Sequence, residues 1–208
     1  MSWTKDEMAK YVATLLEKGS SVNLGIGLPS LVAENIDPSK EIMIHSENGV
    51  LGVSGRPSKK DVSPTLINAG KETISINQAA SYFDSSLSFG MIRGGHIDYC
   101  ILGAMEVDCE RNLANWMIPG KKVTGMGGAM DLVNGAKNII VMMNHFNKSG
   151  DPKLLKTTAL PLTGKNVVDD VITDLGHFRP NGTSFEIIKL APGVTEEDCK
   201  LPYSLSLF

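Results

Sequence analysis

Cysteine is scarce in this chain: 208 residues carry three, Cys100, Cys109 and Cys199. The number is odd and no C-x-x-C pair occurs, which argues against a disulfide framework and a structural zinc site and fits reduced thiols in a cytoplasm. Basic runs are missing as well. Lys and Arg total 20 against 23 Asp and Glu, for a formal charge of -3, and no Lys/Arg block is long enough to track a phosphate backbone, so no nucleic-acid partner is expected. No apolar stretch reaches the length of a membrane span, and the first ten residues mix Lys5, Asp6, Glu7 and Lys10 where a signal peptide would be apolar. The four histidines (His45, His96, His145, His177) show neither H-x-x-x-H nor H-E-x-x-H spacing, so no metal site is expected. Also lacking are a G-x-S-x-G elbow, a P-loop around Gly164-Lys165-Asn166, and the third glycine of a dinucleotide fingerprint after Gly25-x-Gly27, where Ser30 stands.

What remains is an ordinary globular composition, 42% hydrophobic and 21% charged, and a length that suits one domain over residues 1–208. Thr4 and Glu7 form a capping-box pair ahead of Met8, Tyr11, Val12, Leu15 and Leu16 at helical spacing, with Gly19 as the stop. Residues 21–27 read as a strand running into glycines, and Pro29 opens a helix through residue 35. Further strands are expected over 41–45, 72–77, 97–105, 138–145, 168–174 and 184–190, with helices over 80–93 and from the glycines at 125–128 to residue 136. Residues 54–64 read as an exposed loop. Strands alternating with helices imply crossover units, hence an open α/β fold with a mainly parallel sheet and helices on both faces.

In such sheets ligands gather beyond the carboxyl ends of the strands. Four segments lie there: Gly25-Ile26-Gly27-Leu28-Pro29, Ser46-Glu47-Asn48-Gly49, Leu102-Gly103-Ala104-Met105-Glu106, and Gly125-Met126-Gly127-Gly128-Ala129-Met130-Asp131. Glu47 follows Ile42-Met43-Ile44 and is set in a turn by Asn48-Gly49, so its carboxylate projects from a rigid strand end. On spacing alone it reads at least as well as a solvated turn residue or a helix-capping anion. Gly127-Gly128 at a helix start can present unhindered backbone N–H groups to developing negative charge, or can simply be a tight, closely packed turn. Cys100, inside Tyr99-Cys100-Ile101-Leu102, reads as a small buried hydrophobe.

Taken together the segments resemble the B subunit of the 3-oxoacid coenzyme A-transferases. The resemblance is carried by Asn23-Leu24-Gly25-Ile26-Gly27-Leu28-Pro29, Ser46-Glu47-Asn48-Gly49-Val50-Leu51-Gly52, Asn68-Ala69-Gly70-Lys71-Glu72-Thr73 and Met91-Ile92-Arg93-Gly94-Gly95-His96. It continues through Leu113-Ala114-Asn115-Trp116-Met117-Ile118-Pro119-Gly120-Lys121, Gly125-Met126-Gly127-Gly128-Ala129-Met130-Asp131-Leu132 and Leu160-Pro161-Leu162-Thr163-Gly164. It covers nearly the whole chain, and so many ordered segments in one register are specific where any single one is not.

The resemblance implies that Glu47 is the catalytic glutamate and that Gly127 and Gly128, with Gly25, Gly27, Asn48 and Gly49 around them, lie against the reacting thioester. It implies no tightly bound cofactor: the coenzyme A thioester is itself substrate, exchanged between a donor acyl-CoA and a carboxylic acid such as acetoacetate. It also implies a partner polypeptide, the family's A subunit, commonly with two copies of each, and a covalent glutamyl-CoA intermediate. Glu106, at another strand end, is expected to line the pocket rather than to react. The carrier's phosphates need cations, and Arg56, Lys59, Lys60, Lys121 and Lys122 are available, each of which reads equally as an ordinary surface charge. Two rival readings are an effector-binding sensor module and a sugar-phosphate isomerase on a related fold.

Overall fold

The computed structural model describes residues 2–120 and 122–202. In chain order its strands are β1 (Ser21–Leu24), β2 (Met43–Ser46), β3 (Val50–Gly55), β4 (Ser75–Tyr82), β5 (Tyr99–Leu102), β6 (Glu106–Asp108), β7 (Leu113–Ala114), β8 (Met117–Ile118), β9 (Lys122–Val123), β10 (Asn138–Met142), β11 (Leu154–Leu155), β12 (Asp170–Thr173), β13 (Gly176–Pro180) and β14 (Phe185–Leu190). Its α-helices are α1 (Lys5–Leu15), α2 (Ser85–Arg93), α3 (Ala129–Gly135) and α4 (Glu196–Cys199).

The capping box predicted for α1 forms: the Glu7 N–H donates to Thr4 Oγ1 at 3.2 Å and the Thr4 N–H donates to Glu7 Oε2 at 2.7 Å. Met8 and Val12 of its inner face are buried, each contributing about 1.5–3 kcal/mol. The helix ends at Leu15, ahead of Gly19, and a distant residue closes it. The Lys40 ammonium donates to the carbonyls of Ala13, Thr14 and Leu16 at 2.9, 2.9 and 2.6 Å, satisfying acceptors that the helix end leaves open. The segment after β1 winds as a tighter 3-10 helix, Leu28–Asn35, with Pro29 in its first turn.

One nine-stranded sheet organises the molecule, in the order β14-β13-β12-β10-β5-β1-β2-β3-β4. The five central strands, β12, β10, β5, β1 and β2, run parallel, as expected of an α/β fold. Antiparallel strands extend both edges, β13 and β14 on one side and β3 and β4 on the other. The alternating pattern of β3 is broken by Gly52 and Gly55 at φ 96° and 99° and by register shifts against β4, which is why it does not stand out as a strand in the sequence. The helix expected over 80–93 starts later: residues up to Tyr82 pair with β3, and Asp84 caps α2 by accepting from the Leu87 N–H at 2.8 Å.

The central strands bury both faces, so successive residues enter opposite cores. Tyr99 and Ile101 of β5, with Ile140 and Met142 of β10, pack on the side covered by α1 and the 3-10 segment. Cys100, Leu102, Ile139 and Val141 pack on the side of α2 and α3. From β1 the chain lays β2 to one side, then returns through α2 to place β5, β10 and β12 on the other. The direction of strand addition therefore reverses at β1, and the carboxyl ends of β1 and β5 flank the crevice that such a reversal opens. Among the described residues no helix is long and apolar enough to cross a membrane.

Candidate active site

Glu47 directly follows β2 and stands half-buried in a cleft of about 710 Å³. The walls come from the ends of β1 (Asn23, Gly25, Ile26) and β5 (Leu102, Gly103) and from the loop before α3 (Gly127, Gly128). These are the strand ends that flank the crevice, so the topology and the cleft agree. Gly49 builds the turn that aims Glu47. At φ 114° its N–H donates to the Ser46 carbonyl at 2.9 Å and its own carbonyl accepts from the Phe83 N–H at 3.0 Å. A β-carbon on Gly49 would stand 2.0 Å from the Phe83 carbonyl oxygen, so only glycine fits. Asn48 is exposed and does not line the cleft; its amide donates to the Ile67 carbonyl at 2.8 Å and ties down the loop that follows β3.

The carboxylate is held from the next strand. Asn23, fully buried in β1, donates from Nδ2 to Glu47 Oε2 at 3.0 Å, and the same nitrogen lies 3.2 Å from His45 Nδ1 and 3.4 Å from the His45 carbonyl oxygen. Among the described residues Asn23 Oδ1 is buried without a hydrogen-bond partner, an unfavourable position for a carbonyl. His45 is 1% exposed, stacks on Phe83 at 6.0 Å between ring centroids, and places Nε2 3.0 Å from Ser88 Oγ of α2. Burial lowers the His45 pKa to about 4, so the imidazole is neutral at physiological pH. Cys100, beside Asn23 in the register of β5, is fully buried; burial and then the Glu47 charge push its thiol well up, which makes it a poor nucleophile.

The glycines divide into two groups. Gly25 lies in the cleft wall, where its N–H donates to the Ile101 carbonyl at 2.8 Å and a β-carbon would come within 3.0 Å of that oxygen. Gly127 and Gly128 also line the cleft, and neither N–H donates to a backbone acceptor among the described residues. Gly127 is left-handed at φ 53° in open space, whereas Gly128 has an ordinary backbone, and a β-carbon there would crowd Phe89 and touch Glu47. Gly27, at φ 84°, starts the 3-10 segment and does not line the cleft.

Glu106 lies apart from Glu47. It lines a second cleft of about 710 Å³ that shares only Ala104 and Met105 with the first. Its Oε2 accepts from the Ala159 and Leu160 N–H groups at 2.8 and 3.0 Å, and it faces Lys153, whose pKa burial lowers to about 8. Of the cations considered for phosphate binding, Arg56 already pairs with Glu34 and Glu72 at 3.6 and 3.7 Å, Lys59 and Lys60 are exposed, and Lys121 lies outside the described residues. Sequence reasoning did not single out Asn23, His45 or Ser88 as site residues. A signal was available for the first two, polar side chains that sit next to apolar residues in the middle of short central strands.

A family model described as Coenzyme A transferase matches residues 5–199. The chain is 52% identical over 198 residues to the B subunit of the probable succinyl-CoA:3-ketoacid coenzyme A transferase of Bacillus subtilis (strain 168), covering 95% of this chain and 92% of that protein. It is 49% identical to the beta chain of the acetate CoA-transferase of Haemophilus influenzae, over 84% of this chain and 78% of that one. In structure it is similar to the acyl-CoA transferase YdiF apoenzyme of Escherichia coli O157:H7, with a TM-score of 0.74 and 20% sequence identity. That likeness covers 94% of this chain and only 39% of the longer YdiF polypeptide, and it speaks to the fold alone.

Proposed function

This chain belongs to the coenzyme A transferase family, and from that premise we propose that it is the B subunit of a 3-oxoacid CoA-transferase whose covalent nucleophile is Glu47. The observation that carries the reading is a carboxylate at a strand end, held by Asn23 at 3.0 Å and facing two cleft-lining glycines. The donor is succinyl-CoA or acetyl-CoA and the acceptor a 3-oxoacid such as acetoacetate, the substrates that the relatives' names suggest. Those relatives are named as parts of heteromeric enzymes, which supports a companion A subunit; two copies of each polypeptide form the working cytoplasmic enzyme. The family match speaks against the sensor-module and phosphosugar-isomerase readings.

The chemistry follows from two leaving groups that need no proton. A carboxylate oxygen of Glu47 attacks the acyl-CoA carbonyl, the C–S bond breaks, and CoA departs as thiolate, leaving an acyl–glutamyl anhydride. The thiolate attacks the glutamyl carbonyl and the donor acid leaves as its carboxylate, so CoA is now joined to Glu47 as a thioester. The acceptor carboxylate then runs the same steps in reverse, which gives ping-pong kinetics. No general acid or base takes part, in keeping with a neighbouring histidine that burial keeps neutral. Each addition builds an oxyanion, and the N–H groups of Gly127 and Gly128, which line the cleft and have no backbone acceptor among the described residues, are the donors this reading assigns to it; losing one such donor typically costs about 3 kcal/mol.

The test is to assemble the chain with its companion polypeptide, add acetoacetyl-CoA without acceptor, and search Glu47 by mass spectrometry for covalently held CoA. Borohydride, which reduces such a thioester, should inactivate the enzyme only after acyl-CoA has been added. Undiminished CoA exchange by a Glu47→Gln complex overturns the reading.

A further inference from the structure

We propose that His45 and Ser88, neither of which lines the cleft, are positioning residues that hold the Asn23 amide N–H on Glu47 throughout the exchange. The proposal rests on the reading of Glu47 as nucleophile. Three acceptors surround Asn23 Nδ2: Glu47 Oε2 at 3.0 Å, His45 Nδ1 at 3.2 Å and the His45 carbonyl at 3.4 Å. A carboxylate and a backbone carbonyl can only accept, so the nitrogen of the amide faces them. His45 Nδ1 must then accept as well, which puts the ring proton on Nε2. From there it is donated to Ser88 Oγ at 3.0 Å.

The alternative arrangement has something to gain. Asn23 Oδ1 is buried and has no partner among the described residues. If the imidazole proton moved to Nδ1, a flipped amide would place Oδ1 against that N–H and satisfy it, with the amide nitrogen taking the unpartnered position in exchange. The flip would also turn a carbonyl lone pair onto the Glu47 carboxylate in place of a donor. The amide is therefore a two-state element with one competent state, and Ser88 supplies the acceptor that the competent tautomer needs: without it the Nε2 N–H is buried with nothing to receive it. The reaction asks Glu47 to serve first as nucleophile and then as the carbonyl that the thiolate attacks, so a carboxylate free to rotate would fail twice. His45 is suited to this role because it does not titrate in the working range: buried between β1, α2 and Phe83, it offers a fixed acceptor and a fixed donor.

The experiment measures single-turnover formation of the Glu47–CoA adduct from acetoacetyl-CoA in the assembled complex, using wild type, Ser88→Ala, His45→Leu and His45→Asn. The Asn side chain keeps an acceptor near the position of Nδ1 and loses the link to Ser88 together with the ring stacked on Phe83. We expect Ser88→Ala to form the adduct about tenfold more slowly at saturating acyl-CoA with the half-saturating concentration within about twofold of wild type, because orientation and not binding is lost. We expect His45→Leu to be slower by about a hundredfold and His45→Asn to recover about tenfold of that loss. Should His45→Leu fail to fold, Ser88→Ala decides alone, since it removes one hydroxyl. Wild-type rates in Ser88→Ala, or a His45→Asn variant as slow as a folded His45→Leu, overturn the relay while the wild-type adduct stands. Absence of any adduct on Glu47 in the wild-type complex overturns the nucleophile reading and the relay with it.

Discussion

A β-carbon added to Gly128 would stand 3.6 Å from Glu47 Cγ, and 3.0 Å from Phe89 Cζ. The loop before α3 and the turn after β2, 81 residues apart in sequence, thus meet at the one place where a side chain between them would matter. Gly128 sits at φ -80°, so alanine costs its backbone nothing; its methyl would touch Glu47 at ordinary distance but crowd the Phe89 ring, which has to give way beside the carboxylate. Gly127 is the converse: φ 53° strains any side chain, yet nothing lies within 4 Å of its β-carbon. Gly128→Ala is therefore expected to lower kcat by about tenfold or more, with a stability cost set by how far the Phe89 ring yields, while Gly127→Ala costs about 1 kcal/mol of stability through its backbone. Paired steady-state kinetics and thermal melts on the two variants check the contrast.

Glu47→Asp keeps the charge and withdraws it by one methylene. The Asn23 amide is fixed in a buried strand and cannot follow, so the contact at 3.0 Å is lost and the reacting oxygen is misplaced by about 1 Å. A rate about a hundredfold below wild type is expected, with the adduct still formed on residue 47. Rapid-quench mass spectrometry separates this from Glu47→Gln, for which no adduct should be found at any time.

The alternation of short apolar runs with helical segments, and the glycines that end them, made the parallel centre of the sheet and the position of Glu47 legible in the sequence. The edges were less so. β3 is held in part by pairing with β4 across a long loop, and it carries two left-handed glycines that erase its period of two. The end of α1 is set by Lys40, 24 residues beyond the last carbonyl that it reaches, and no local signal marks that contact. Asn48 and Gly49 illustrate a different limit: both flank Glu47, yet one faces Ile67 and the other is a steric requirement of the turn against Phe83. Adjacency in sequence could not separate them from Gly127 and Gly128, which reach the cleft from another element.

That steric requirement makes Gly49 the most sensitive glycine near the site. Alanine there combines φ 114° with a β-carbon 2.0 Å from the Phe83 carbonyl, and Phe83, which directly follows β4, cannot retreat without disturbing the pairing of that strand with β3. Gly49→Ala should destabilise the protein by about 3 kcal/mol or more. Chemical denaturation should show this loss, and a Tm equal to wild type would mean that the turn has room the structure does not show.

The buried histidine also makes stability depend on pH, with a sign that can be worked out. In the unfolded chain His45 takes up its proton near 6.5, while in the fold burial delays protonation to about 4. Between these values the unfolded state binds more protons, so this contribution to stability is complete above pH 6.5 and is lost as pH falls toward 4. Its full size is about 3 kcal/mol. His145, also lowered chiefly by burial, acts in the same direction. Asp98, held down chiefly by the hydrogen bond from Lys137, loses its contribution only below its ordinary 3.8, and Glu7, held down chiefly by the backbone hydrogen bond from Thr4, below its ordinary 4.5, so a comparison of pH 7 with pH 5 weights the histidines. Thermal unfolding of the assembled enzyme should show a clear drop in Tm between those two values for wild type. His45→Asn, which has nothing to protonate at residue 45, should show a smaller drop despite starting from a lower Tm; equal drops in the two proteins would mean that His45 titrates normally in the fold.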